Sequence, residues 1–372
     1  MKQSMSNNTN YYFFLFLKVY ALTLLLSPFV QSAFSLNELV DIYPSPQGLG
    51  MGNALTADAT GYQAIFYNPA GVANQPKRKW EVNLLDLQGG LALNSVSHVW
   101  TNQSFGPDRM WGELKHHPGN YQFLNAASLP SVTVRGLSIS LIGSYRFAAL
   151  SDGSTIDTDL SKDVGVAFAV GRSFGGNILK LGLTTKALIR NQMKGQFSHD
   201  TLAGLNDSSF PSLFKEGWAV GFDLGMLVTL PEKFLPTLGI VWKDAFDTHF
   251  KSSNILNSQA TGKPDPINQS VNAALSIHPI FSPRLKSTIA LEYKHLELPH
   301  LQFRKHLHVG FQLEHIKEVY FWAGLYQLYP TAGFGYRVKG GNLELVTYAV
   351  DVGDGNENQE NRRFSFRYTI SF

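Results

Sequence analysis

The chain has 372 residues with 31 basic and 28 acidic side chains, so charged residues make up only 16%, well under the roughly one quarter usual in soluble domains. Aromatics reach 13% and glycine 33 residues, yet mean hydropathy is −0.09, which excludes a bundle of membrane helices, each needing about 20 apolar residues. Hydrophobic residues at 44% exclude disorder; a transmembrane β-barrel fits, because it places its apolar residues at alternate positions and shows little mean hydropathy.

The N-terminus reads as an export address. Lys2 gives a basic start, and the stretch from Tyr11 to Val30 is mostly apolar, broken only by Lys18. The stronger core runs from Val19 to Val30, followed by Gln31-Ser32-Ala33-Phe34-Ser35, where Val30/Ser32 or Ala33/Ser35 meets the small-residue rule for cleavage. This predicts a secretory signal peptide over 1–35, with cleavage near 32–35; a single membrane anchor is the alternative, disfavoured by the short core after Lys18. Removing the two lysines of 1–35 leaves a net charge of about +1, which gives no reason to expect nucleic acid as a partner. The absence of cysteine excludes disulfides, thiolate metal sites and cysteine nucleophiles.

From Trp80 onward the hydrophobic period is two, as in strands with one oily and one wet face. Leu137, Ile139, Leu141, Tyr145 and Phe147 alternate with Ser138, Ser140, Ser144 and Arg146. Trp218, Val220, Phe222, Leu224, Met226, Val228 and Leu230 share one face, against Ala219, Gly221, Asp223, Gly225 and Thr229. Ser287, Ile289, Leu291 and Tyr293 oppose Lys286, Thr288, Glu292 and Lys294, and a slip of faces in 342–351 near Val346 points to a bulge. Tight turns fall at Arg135-Gly136, Phe174-Gly175-Gly176-Asn177, Pro231 to Leu235, Ile280 to Arg284, His315 to Glu318 and Lys339-Gly340-Gly341. Longer polar stretches separate them at 101–123, 150–161, 191–216, 247–269 and 352–361. Two strands around each tight turn plus one at each end predict an all-β fold, an antiparallel barrel of about 14 strands. Bacterial outer-membrane barrels alternate short periplasmic turns with long outer loops in the same way.

The last predicted strand alternates Phe364, Phe366, Tyr368, Ile370 and Phe372 with Arg363, Ser365, Arg367, Thr369 and Ser371. Such an aromatic-ended strand resembles the signal read by the bacterial barrel-assembly machinery, which makes that machinery an expected partner, along with outer-membrane lipids and lipopolysaccharide. An ordinary edge strand ending in Phe is the alternative.

Between the signal and the barrel, residues 48–71 alternate small residues with a few large ones. A nucleotide loop is excluded: Gly48, Gly50 and Gly52 are spaced G-x-G-x-G, with no Gly-Lys-Ser/Thr and no strand–helix unit around them. With the Ala57-Asp58-Ala59 step, Asn68-Pro69-Ala70 and the Ser35-Leu36-Asn37-Glu38 start, the stretch instead resembles the N-terminal plug, or hatch, of the FadL-type outer-membrane transporters of long-chain fatty acids. The Tyr-Asn-Pro-Ala-Gly form also resembles PorV-like barrels. The resemblance implies a plug over 36–78, a barrel over 79–372, and Gly48, Gly50, Gly52, Asp58, Asn68, Pro69 and Ala70 as plug residues. Physically, a 14-stranded barrel leaves a lumen that must be blocked. Small residues let a backbone lie close to its wall, and Pro69 holds Asn68 extended; an ordinary turn is the simpler reading of Asn68-Pro69.

Other constellations are weaker. His116-His117 carries no metal-ligand spacing, the acidic run from Asp351 to Glu360 departs from the EF-hand pattern, and neither predicts a metal or a cofactor. Lys77-Arg78-Lys79 before Trp80 fits the lower membrane edge, where long cations snorkel and Trp anchors. The sequence thus predicts a non-enzymatic outer-membrane barrel that passively admits hydrophobic small molecules, fatty acids or hydrocarbons. Its cargo first touches the loop residues Leu202, Leu205, Phe210, Leu213 and Phe214, then passes a polar lumen holding Arg146, Lys186, Asp223, Glu292 and Arg367. A barrel that docks a secreted protein is the alternative, and a barrel-embedded hydrolase ranks behind both.

Overall fold

A computed structural model of the chain describes residues 38–39, 41–76, 80–93, 114, 116, 118–203, 209–316, 318–353 and 358–371. The alternating segments form a closed antiparallel barrel of 14 strands. In chain order these are β1 (Glu81–Ala92), β2 (Gln122–Ser128 continuing as Ser131–Val134), β3 (Leu137–Ser151), β4 (Thr155–Phe174) and β5 (Leu179–Ser198). Then follow β6 (Lys215–Thr229), β7 (Thr237–Lys243 with Lys251–Ser252), β8 (Ser270–Ile277 with Ile280–Ser282) and β9 (Leu285–Tyr293). The last five are β10 (Leu307–His315), β11 (Val319–Tyr326), β12 (Tyr329–Val338), β13 (Gly341–Asp351) and β14 (Glu360–Ser371). Pairing of β14 with β1, from Asn83↔Ser371 to Ala92↔Arg363, closes the ladder. Closure leaves no open edge, the condition for strands to cross a hydrocarbon layer. At the break in β2, where Pro130 has no N–H to donate, the register against β1 slips by one residue.

The predicted faces hold. Leu141, Val164, Phe222, Leu224, Phe366 and Tyr368 are exposed on the outer surface, whereas Asp223, Lys186, Arg363 and Arg367 are buried inside. Exposed Trp80, Phe174, Phe234, Phe281 and Tyr336 lie near the end with the tight turns, and Trp218, Phe246 and Phe303 near the other. Such aromatic girdles flank the apolar band of outer-membrane barrels.

Two expectations change. Most of 150–161 is not a loop: β3 and β4 stay paired up to Ser151↔Ile156, and the chain reverses within 152–154. There Asp152 Oδ1 accepts from the backbone N–H of Ser154 and Thr155 at 2.7 and 2.6 Å. Likewise β5 runs on to Ser198, into the stretch expected as a loop from 191. Strands rising beyond the apolar band carry polar residues on both faces, which makes them read as loops. Nor do the faces slip at Val346. The β12–β13 and β13–β14 registers run unbroken, and Val346 points inward with Leu49, Tyr326, Tyr348 and Val350. The lumen at this point is filled by protein, so an apolar inward residue is satisfied there.

Candidate functional site

Residues 41–76 lie against the inward faces of the strands. Their short helices, Pro46–Gly50, Gly61–Gln63, Ala64–Tyr67 and Pro69–Asn74, are too short to stand alone and are held by the wall. Ser45 caps the first, its hydroxyl accepting from Gly48 N–H at 3.1 Å. Asn68 has extended backbone (φ −159°, ψ 108°) and caps the last, accepting from Ala70 N–H at 3.1 Å. Its amide donates to the carbonyls of Thr56 at 3.0 Å, Met226 at 3.2 Å and Ile240 at 3.4 Å. One side chain thus ties two parts of the segment to β6 and β7.

The wall is shaped to receive this step. Gly171, Gly182 and Gly225 pair with one another across β4, β5 and β6, and a Cβ on Gly182 or Gly225 would collide with Pro69 or Asn68. On the far wall Gly310 pairs with Gly324 against Met51 and Gly52. Gly52 has φ +61°, and a side chain there would strike the carbonyls of Val309 and Leu325. Gly50 abuts Trp322 and Val346, and Gly48 abuts Tyr67. Gly48, Gly50, Gly52, Asn68, Pro69 and Ala70 are therefore all buried between segment and wall. These inward wall glycines escaped the sequence reading, though their place on wet faces, where a polar residue is usual, was a usable signal.

Charge completes the packing. Glu38 takes two hydrogen bonds from Arg363, at 2.7 and 2.9 Å, one from Arg146 at 3.2 Å and one from Tyr121 at 2.7 Å. Burial alone would raise its pKa, but the two guanidinium groups outweigh that and hold it at about 2. Asp41 binds Lys294 at 2.8 Å and the Asn53 amide at 2.5 Å, with Lys243 at 3.7 Å; burial opposes ionisation here too, and the lysines hold Asp41 far below the usual carboxylate range. Thr56 donates to Glu292 through both N–H and hydroxyl, at 2.9 and 2.7 Å. Arg367 binds Asp86 and Tyr62, and Lys186 bridges Asp223 and Asp244 at 2.8 Å each. Toward the turn end, Asp58 meets His278 Nε2 at 2.6 Å. Burial would lower this imidazole, but the hydrogen bond and charge of Asp58 raise its pKa.

Two cavities flank the segment. One of about 330 Å³ is lined by Glu38, Asp41, Tyr43, Asp163, Arg190 and Arg363 among others. The second, of about 490 Å³, lies at the turn end beside Asp58, Gln75, Lys180, Thr229 and His278. The expected lumen charges Arg146, Lys186, Asp223, Glu292 and Arg367 are all inward and ion-paired or hydrogen-bonded. The loop residues have a different setting: Leu202 and Phe214 are buried with Phe147, Leu160 and Met193 at the loop end, and Phe210 and Leu213 pack against them. Phe364, Phe366, Tyr368 and Ile370 face outward on β14. Leu205, His117, Phe372, 1–37 and 77–79 lie outside the described residues.

Replacing Gly182 by Leu is expected to drive the Asn68-Pro69 step off the wall, an overpacking penalty of about 1–3 kcal/mol. Raised conductance in planar bilayers would report it, with outward-facing Gly143→Leu, whose Cβ meets nothing closer than 3.7 Å, as the silent control.

No protein-family model and no curated protein matches the chain. Among solved structures it is similar to the "CymD monoaromatic hydrocarbon channel", at TM-score 0.54 and 14% identity over 91% of this chain and 99% of that one. It is also similar to the Pseudomonas putida toluene transporter TodX, at TM-score 0.50 and 11% identity over 91% and 99%. Both are transport proteins and not enzymes. At these identities the likeness concerns the fold, and the chain shares that fold with the FadL-type channels that its segment 48–71 resembles.

Proposed function

We propose that the protein is an outer-membrane channel that passively admits hydrophobic small molecules, its segment 36–78 acting as a movable plug in a barrel over 79–372. The observation that carries this reading is the seating of Asn68-Pro69 on the glycine row Gly171, Gly182 and Gly225. A wall kept free of side chains gives the step a fitted seat, and the two hydrogen bonds from the Asn68 amide to the wall, to Met226 and Ile240, of about 1 kcal/mol each, hold it firmly yet reversibly. The shared fold with a monoaromatic hydrocarbon channel and a toluene transporter supports a hydrophobic cargo, either monoaromatic hydrocarbons or long-chain fatty acids. Export by the signal 1–35, assembly through the strand ending at Phe372, and contact with lipopolysaccharide belong to the same reading. The loop cluster of Leu202, Phe210, Leu213 and Phe214, with Leu205, is proposed as the first apolar contact for cargo. Uptake of labelled toluene and of a labelled long-chain fatty acid, by cells with and without the protein, tests the reading and separates the two cargo classes. Equal uptake of both in both cell types would favour the protein-docking alternative.

A further inference from the structure

Four cations point inward from β5, one of them Lys194, with Asp265 at 3.1 Å. Lys186 has Asp223 and Asp244 at 2.8 Å, and Arg190 has Asp163 at 2.7 Å. Lys180, only 5% exposed, has no carboxylate partner among the described residues. Its one hydrogen bond runs to Thr229 Oγ1 at 3.0 Å, which leaves two of its three ammonium donors unused. Thr229 Oγ1 also lies 3.1 Å from Thr237 Oγ1, whose single proton has the Leu235 carbonyl as a second acceptor at the same distance. The Lys180–Thr229 contact itself has a fixed direction, because an ammonium can only donate. Both side chains line the 490 Å³ cavity at the turn end, whose other walls include Ala57, Ile178, Pro231 and Leu235. The carboxylate of Asp58 lines the same cavity, with His278 at 2.6 Å beside it. Lys180 lies two residues from Gly182, on which Pro69 rests, and toward the turn end, so the cavity opens on the periplasmic side of the plug.

A buried ammonium with spare donors and walls that include Ala57, Ile178, Pro231 and Leu235 make a receptor for one chemistry: a carboxylate attached to a hydrocarbon. We propose that this cavity is an exit subsite, in which Lys180, oriented by Thr229, holds the carboxylate of an amphipathic cargo after it has passed the plug. The subsite rests on the channel reading for the route by which cargo arrives. It names the cargo class more narrowly, since a neutral hydrocarbon gains nothing from Lys180. Burial of the ammonium is what makes the contact count: a charge-assisted hydrogen bond in a partly dry cavity is worth more than the same pair in water.

Equilibrium dialysis of labelled decanoate, decanol and acetate against the purified full-length barrel tests this. Decanoate is expected to bind, with Lys180→Met weakening it about tenfold or more and Lys180→Arg keeping it within about threefold, since a point charge is what the site supplies. Decanol binding is expected to be unchanged by either variant, and a heat-shifted electrophoretic band verifies that each is folded. Undiminished decanoate binding by folded Lys180→Met overturns the subsite, as does wild-type protein that binds no decanoate. Acetate binding as tight as decanoate overturns the cargo assignment and leaves a simple anion site. Wild type that speeds toluene uptake but binds no decanoate sinks only the subsite. Lys180-dependent binding without any uptake upholds the subsite and sinks the channel reading.

Discussion

Replacing Glu38 by Gln is expected to release the leading part of the N-terminal segment from the wall while the barrel stays closed. The carboxylate is shared by Arg363 and Arg146; without it Arg146 keeps Asp159 at 3.2 Å, whereas Arg363 is left buried with only the neutral Asn361 side chain. Removing one partner of a buried ion pair costs about 3–5 kcal/mol, mostly from the stranded charge. Only the seating of the segment bears this cost, because the strand ladder closes through Asn83–Ala92 and Arg363–Ser371 backbone pairs that Glu38 does not touch. Protease cutting near residue 38 and a rise in single-channel conductance would report the release. The same contact gives a pH dependence. The folded pKa of Glu38 is lowered from 4.5 to about 2, so its contribution is fully present above pH 4.5 and lost as the pH falls toward 2. Conductance of the wild type should therefore rise across that acid window, and Glu38→Gln, already released, should show no such step. Conductance that is flat with pH in both would mean that Glu38 does not latch the segment.

Leu224→Arg and Asp223→Arg, neighbours on opposite faces of β6, are both expected to be severe, for different reasons. Leu224 faces outward, and an Arg there would enter hydrocarbon at about 2–4 kcal/mol if the position lies near the midplane. From alternation alone the inward neighbour should tolerate Arg, since its face is wet. The structure alters that expectation. Asp223 is buried and bound to Lys186 at 2.8 Å and to the Asp244 N–H at 2.7 Å, so Arg would set two cations together in a filled interior, at a cost on the order of the 3–5 kcal/mol for a broken buried pair. Denaturant titration of the folded fraction in lipid vesicles measures both. A mild Asp223→Arg would show that the lumen around Lys186 is open water.

The comparison of these two residues shows what the sequence carried. Period-two alternation in β3, β6, β9 and β14 was enough to count the strands and locate the tight turns, because a half-lipid, half-lumen wall writes its environment on every second residue. The Asn68-Pro69 step was legible as a kink because Pro restricts its predecessor locally. The inward charges Arg146, Lys186, Asp223, Glu292 and Arg367 were legible, but their partners were not. Glu38 and Arg363 lie 325 positions apart, and nothing in local pattern joins them. Val346 reads as an error of alternation until the helix Pro46–Gly50 is seen against it. Gly225 reads as a neutral member of a wet face, whereas across the register it forms one seat with Gly182. Strand ends beyond the apolar band were misjudged because their buried residues, Ile156, Leu160 and Met193, are too sparse among polar ones to show a period.

The claim on which the rest depends is that cargo crosses when the N-terminal segment moves, and the absence of native cysteine makes this directly measurable. Gln47 on the segment and Gln312 on β10 are joined by a side-chain hydrogen bond of 2.8 Å, so cysteines at both positions can be bridged by a short bis-methanethiosulfonate, which forms a disulfide with each thiol as methanesulfinate leaves and is cleaved by a reductant. Uptake of labelled toluene and long-chain fatty acid is then followed in cells carrying the wild type, the bridged protein, the protein after cleavage, or none. Uptake of at least one compound is predicted to be fast with the wild type, to fall to the level of cells lacking the protein when the bridge is in place, and to return on cleavage. Bridged protein that carries cargo as fast as the wild type, or wild type no faster than no protein at all, would contradict the account.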